Sequence, residues 1–410
     1  MNSRWQPWSL RELVASRMGP AQALERSRAR IAETDGELCA WVVQDPDPQP
    51  SSGPLGGVPI GVKDIIDLAG LPTKCGTPLR ADAEPAEVDA AIVTAWRQAG
   101  AMPVGKTATT EFAYFSPGPT RNPAAPGHTP GGSSSGSAAA VAAGHVPLAL
   151  GTQTAGSVTR PASFCGVASL VLTHSRFTMD GVSALSPSFD SHGVYAAGVS
   201  DLALAWSALV SEPDPALTAE RPPRLLLWQG DAGPEMRAAL AAARDRLVSA
   251  GAVVDDFLDE KVIAELTAAH PVVMAYEAAR TRAAELAVAS VLSEHLAQLL
   301  RTGASTPEHE HELARRTMTE AGKRVAEVMA PYDAVLAPAA LGPAPAGLAS
   351  TGDPVLSRPW QALGLPAVTV PGARSPAGLP LGLQLVGRAW SEANLLAVGC
   401  WVETVLRPTG

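Results

Sequence analysis

The segment Thr129-Pro130-Gly131-Gly132-Ser133-Ser134-Ser135-Gly136-Ser137 runs directly into the alanine-rich stretch Ala138 to Ala143, and this junction constrains the chain more than any other. A Gly/Ser run of this composition can be a flexible tether. Here, however, the glycines stop where a good helix begins, and a serine at that boundary can accept from the unpaired N–H groups of the first turn. Three chemical uses compete with the tether. Gly132-x-Ser134-x-Gly136 satisfies the nucleophile-elbow pattern, but an elbow needs a strand immediately before it, and the proline-interrupted segment Asn122 to Pro130 occupies that place. A phosphate loop needs a Gly-Lys-Ser/Thr ending, which is missing. The remaining use is a serine held in a special backbone geometry to relay a proton.

Two further segments carry chemistry. Val58-Pro59-Ile60-Gly61-Val62-Lys63-Asp64 is a short apolar run ending on two charges, so it reads as a strand whose end presents Lys63. Leu148-Ala149-Leu150-Gly151-Thr152-Gln153-Thr154-Ala155-Gly156-Ser157 reads as a strand entering a small-residue turn, where successive backbone N–H groups can point into one concavity and bind a developing oxyanion. Alone, each has a plain alternative: a solvated strand-end lysine, and a structural turn.

The rest of the pattern is α/β. Gly19-Pro20 separates two amphipathic helices, Leu10 to Met18 and Ala21 to Ala32. Val88 to Ala99 has helical spacing and leads into a strand at Ala101 to Val104; Leu225 to Trp228, Met236 to Ala250 and Val253-Val254 repeat strand, helix, strand. Thr267 to Leu300 and Thr306 to Ala330 are helical in propensity, and the last eighty or so residues alternate turns with apolar runs before a final helix near Ser391 to Val405. No linker is long enough to demand independent domains. The expectation is one large domain over residues 1–410, a mixed β-sheet flanked by helices on both faces. Its parts are N-terminal helices over about 1–45, a core over about 55–210, a helical cap over about 255–330 and C-terminal strands with a helix over about 331–410.

Taken together, Gly57 to Asp64, Thr129 to Ser137 and Gly151 to Pro161 with Phe164-Cys165-Gly166 resemble the amidase signature family of serine hydrolases. The resemblance extends to Gly70 to Thr73, Lys106 to Phe112, Ala362 to Pro366 and Gly378 to Gln384. It implies an amidase with a Ser-cisSer-Lys triad: Ser157 as nucleophile, Ser133 as the bridging cis-serine and Lys63 as base, with an oxyanion hole from the backbone of Thr154, Ala155, Gly156 and Ser157. A lysine can serve as base near neutral pH only if burial or neighbours depress its pKa. No cofactor is implied, because protein groups and water make and break the acyl-enzyme.

Within the family, Asp is common where this chain has Gln153, and Arg where it has Thr159. Arginine stands instead at position 160. The pattern Gln153 to Pro161, with His128-Thr129 and Ser350 to Pro354, resembles the branch containing malonamidase and biuret hydrolase. It implies a small polar amide substrate, with Arg160, Gln153 and Ser134 as candidate substrate-binding residues. Arg160 can bind a substrate carboxylate or carbonyl, or satisfy backbone carbonyls beside Pro161. Phe112, Tyr114 and Phe115 keep an aryl amide, ester or carbamate hydrolase open, and the resemblance also leaves an amidotransferase A-type subunit that releases ammonia from glutamine.

Composition excludes other classes. A formal net charge of -9 provides no electrostatic footprint for a nucleic acid. Cys39, Cys75, Cys165 and Cys400 lie far apart, which argues against zinc and a disulfide framework and suits a reducing cytoplasm. No apolar run reaches membrane-spanning length. His128, His145, His174 and His192 read as structural, and His309 and His311 beside glutamates read as a solvated charged turn with no metal. A homodimer is left open.

Overall fold

The computed structural model describes residues 5–218 and 221–407. Eleven strands form one sheet: β1 (Trp41–Gln44), β2 (Val58–Lys63), β3 (Ala101–Thr107), β4 (Leu148–Gln153), β5 (Ala168–Val171), β6 (Ser191–Ala196), β7 (Arg224–Leu227), β8 (Val253–Asp256), β9 (Ala334–Pro338), β10 (Ala367–Arg374) and β11 (Pro380–Val386). Their order is β1-β3-β2-β4-β6-β5-β10-β11-β9-β7-β8. β2 runs parallel to both β3 and β4, whereas β6, β5, β10 and β11 pair antiparallel with their neighbours. The sheet is therefore mixed, and its inner strands β2, β3, β4, β6 and β11 are buried at every residue. Burial on both faces explains why β2, β4 and β11 read as apolar runs rather than as alternation.

The helix Ser135–Ala142 is buried along its whole length. Only small residues permit this. A Cβ on Gly136 would lie 2.3 Å from the Ala108 nitrogen and 2.4 Å from the Ala40 carbonyl oxygen, so glycine lets the helix start against β3's continuation. The register Val62↔Leu150 between β2 and β4 then places Lys63 beside Thr152.

Four helices, Glu260–Thr281, Ala283–Leu286, Glu294–Ser305 and Glu308–Met329, form the layer expected over about 255–330. Glu260–Thr281 and Glu294–Ser305 cross closely at Gly303, where any Cβ would meet the Ala275 carbonyl. One local expectation is corrected: His309 and His311 lie in the helix Glu308–Met329, and His311 stacks on Tyr276 with ring centroids 4.0 Å apart. Glu308 and Glu310 suit that helix start, because acidic groups are favoured in a first turn. No cluster fit for a metal ion occurs among the described residues.

Candidate active site

Lys63 ends β2 fully buried, and its Nζ lies 2.7 Å from Ser133 Oγ and donates to Thr152 Oγ1 at 2.9 Å and to the Thr152 carbonyl at 3.3 Å. Burial pulls its pKa down from 10.5 to about 7, against the opposing pull of the Asp190 carboxylate. Ser133 follows a cis Gly132–Ser133 peptide, in a loop fixed by the Thr110 N–H donating to the Ser133 carbonyl at 3.2 Å.

Ser157 leaves β4 four residues beyond its end and lines one cleft with Ser133, Thr154, Ala155, Gly156 and Arg160. The cleft is tight, with a cavity volume of about 30 Å³. Ser157 Oγ and the N–H groups of Ala155, Gly156 and Ser157 make no hydrogen bond among the described residues. The Ser157 carbonyl is tied back, accepting from the Ser134 N–H at 3.3 Å and the Tyr195 hydroxyl at 3.2 Å. Thr154 is gripped too: its Oγ1 donates to Asp190 at 2.5 Å, and its carbonyl accepts from His270 Nε2 at 2.8 Å. Asp190 also accepts from the N–H groups of Leu185 and Ser186, while burial raises its pKa.

Arg160 makes backbone contacts, one of the two uses that the sequence left as alternatives. Its Nε donates to the Thr351 carbonyl at 2.6 Å and its Nη2 to the Gly132 carbonyl at 2.7 Å, so it fastens the loop of Ser133. Its Nη1 is buried and finds no partner among the described residues. Burial brings the pKa of this guanidinium down to about 10, which still leaves it charged at neutral pH.

Two expected substrate contacts are corrected. Gln153 is not among the residues lining the cleft: its Oε1 accepts from the N–H groups of Val158 and Thr159 at 2.9 and 3.1 Å, and its Nε2 donates to Gln361 at 3.0 Å. An amide oxygen there satisfies the start of the helix Thr159–Cys165, whose first N–H groups have no intrahelical partner. Ser134 is fully buried behind the cleft and donates to the Thr152 carbonyl at 3.3 Å. Of the three aromatics, Tyr114 and Phe115 line the cleft, whereas Phe112 packs beneath Arg282 at 4.8 Å.

Several residues of the site were not singled out from sequence, among them Leu185, Met274 and Asp190. Arg358, at the start of the helix Arg358–Ala362, lines the cleft with a buried Nε that lacks a partner among the described residues. His270, in the helix Glu260–Thr281, reaches the Thr154 carbonyl. The only signal for Arg358 was a basic residue just after the Ser350 to Pro354 segment, and His270 had none. His145 and His192 are structural: His145 accepts from Trp41 Nε1 at 3.0 Å, and His192 Nε2 bonds the Thr178 carbonyl at 2.9 Å.

The family model for amidases matches residues 43–396. The chain belongs to the amidase family. It is 31% identical to a 1-carboxybiuret hydrolase subunit, AtzE, of a Pseudomonas species (strain ADP), over 97% of each chain. It is 32% identical to the A-type subunit of a glutamyl-tRNA(Gln) amidotransferase of Treponema pallidum, covering 84% of this chain and 81% of that one. A crystal structure of an amidase superimposes with a TM-score of 0.86 at 28% identity, over 97% of this chain and 98% of that one. This amidase-family chain is a hydrolase of amide bonds built as one large mixed-sheet domain. Among its described residues, no helix is long and apolar enough to cross a membrane.

Proposed function

We propose that the chain hydrolyses a small anionic amide through an acyl-enzyme on Ser157. The observation that carries this reading is the 2.7 Å contact between Lys63 and Ser133 beside a cleft that also contains Ser157. With its pKa near 7, Lys63 is substantially neutral at pH 7 and above, and a neutral amine has two N–H donors and one lone pair. The two donors serve Thr152, and the lone pair accepts from the Ser133 hydroxyl. Ser133 then takes the proton of Ser157 as that oxygen attacks the amide carbon. The oxyanion forms against the backbone N–H groups of Thr154, Ala155, Gly156 and Ser157. The proton held by Lys63 returns through Ser133 to the leaving nitrogen. Water enters along the same relay to release the acid and free Ser157.

The substrate class rests on charge. Arg160 and Arg358 line the cleft, each with a buried N–H that lacks a partner, and no carboxylate lines it among the described residues. Two guanidiniums suit a carboxylate on the substrate. A relative named for 1-carboxybiuret hydrolysis fits this charge. Tyr114, Phe115, Leu185 and Met274 give the cleft an apolar wall, the observation that favours an aryl amide, ester or carbamate as the second reading. The four free cysteines support a reducing, cytoplasmic setting.

The test is turnover by wild type and Ser157→Ala over malonamate, biuret, propionamide, an anilide, a carbamate and free glutamine. The expected result is preference for malonamate over the neutral amides, biuret included, and loss of about 10⁴-fold or more in the variant. Equal rates in the two proteins would remove Ser157 as nucleophile; preference for the anilide would select the second reading, and glutamine turnover the amidotransferase type.

A further inference from the structure

His270 sits outside the cleft, at the middle of the helix Glu260–Thr281, and is fully buried. Its ring stacks on Phe189 with centroids 4.3 Å apart and planes 16° apart, and its Nε2 lies 2.8 Å from the Thr154 carbonyl oxygen. A carbonyl only accepts, so Nε2 must carry the hydrogen. Burial pulls the ring's pKa down to about 4, so the imidazole is neutral and Nδ1 is a bare acceptor. Nδ1 is buried without a partner among the described residues. An unpaired buried nitrogen costs free energy that a phenylalanine in the same stack would not incur. The ring's polar contribution is therefore the single N–H directed at Thr154.

That bond acts on the peptide joining Thr154 to Ala155. The peptide is trans, because the one cis bond is Gly132–Ser133 among the described residues. In a planar trans peptide the C=O and N–H point in opposite directions. With the Thr154 carbonyl turned to His270, the Ala155 N–H points away from the helix, and Ala155 lines the cleft. A donor on the carbonyl also polarises the amide and strengthens its N–H.

We propose that His270 is a positioning residue: it fixes and polarises the Thr154–Ala155 peptide so that the Ala155 N–H meets the oxyanion. The proposal rests on the assignment of that N–H to the oxyanion hole. Asp190 holds the Thr154 side chain from the other direction, so the turn is clamped at side chain and carbonyl while its N–H groups stay free. The helix that closes over the cleft through Met274 is thereby also part of the oxyanion site.

The experiment compares His270→Gln, which retains an N–H donor, with His270→Met, which removes it at similar volume, and His270→Phe, which removes it but keeps the stack on Phe189. Each is treated with an alkyl fluorophosphonate, and intact mass gives the rate and the final extent of labelling; kcat and KM are measured on the best substrate of the panel above. The expected result is full final labelling in all three. The rate and kcat should fall about tenfold in His270→Met and His270→Phe with KM within about twofold, and stay within about threefold in His270→Gln, the scale of one ordinary hydrogen bond. A merely structural role would lower the labelled extent rather than the rate. The proposal is overturned if either donorless variant labels at the wild-type rate, if His270→Gln is as slow as they are, or if kcat falls only in proportion to the labelled fraction. Should one donorless variant fail to fold, the other supplies the comparison; should both fail while His270→Gln folds, the role is structural and the proposal falls. Failure of the underlying assignment shows separately, as a wild type that takes no label on Ser157.

Discussion

Lys63 Nζ lies 2.7 Å from Ser133 Oγ, and no carboxylate stands within ion-pair distance of that amine among the described residues. Lys106, the other fully buried lysine, is paired with Asp64 at 3.2 Å. Both amines have pKa values lowered by burial, but only Lys63 is left without an adjacent counter-charge. That difference separates a proton acceptor from a structural ion pair.

Activity should therefore rise with pH through a limb centred near 7, as Lys63 loses its proton. A pH profile of kcat/KM checks this. Lys63→Arg should be inactive across the range, because a guanidinium does not give up its proton in it.

The same amine should leave a mark on stability. Between about 7 and 10.5 the unfolded chain still holds the proton that folded Lys63 has lost, so unfolding free energy contributed at this site rises with pH across that window. The difference between wild type and Lys63→Met in urea unfolding at several pH values isolates the contribution, and it should grow in favour of wild type from pH 7 to 10.

Arg160 and Arg358 should separate under mutation. Arg160→Ala leaves the Thr351 and Gly132 carbonyls without donors, so it should lower unfolding free energy by about 2–4 kcal/mol and reduce kcat as the Ser133 loop loosens. Arg358→Ala removes a side chain with only a 3.8 Å ion pair to Asp353. Its KM for malonamate should rise about tenfold while propionamide kinetics stay within about twofold.

Ser133→Ala should keep the fold, since Lys63 retains both contacts to Thr152, and should cut kcat by about 10²–10⁴-fold. Circular dichroism and thermal melting alongside kinetics distinguish this from misfolding. Gly136→Ala should do the opposite and fail to accumulate folded protein, because the new Cβ meets backbone atoms that cannot yield.

Much of this was legible beforehand for a definite reason. β2, β4, β9 and β11 are buried at every residue and so appear as plain apolar runs, and the Gly/Ser junction has few structural uses. β6 was not legible: Ser-His-Gly-Val-Tyr-Ala has small and polar members, and its place between β4 and β5 comes from pairing. β1 has a four-residue alternation too short to stand out. Within the site, residues next to Ser133 and Ser157 in sequence were found, but which of them face the cleft was not. Gln153 and Ser134 turn inward, whereas Arg358 and His270 arrive from 201 and 113 positions beyond Ser157, on a turn-rich stretch and a helical one with no other mark in sequence.

The parallel pairing of Val62 with Leu150 sets a limit on how such a chain can be altered. Deleting one residue from either strand would turn Lys63 or Thr152 to the opposite surface of the sheet and disconnect the amine from its hydroxyl, however well the rest refolded. The helix Glu260–Thr281 has its own phase to keep, since it must direct His270 at the Thr154 carbonyl and pass Gly303 closely. New substrate preferences are thus open to side-chain changes in that layer at positions such as Met274, while the two strands admit no change of length.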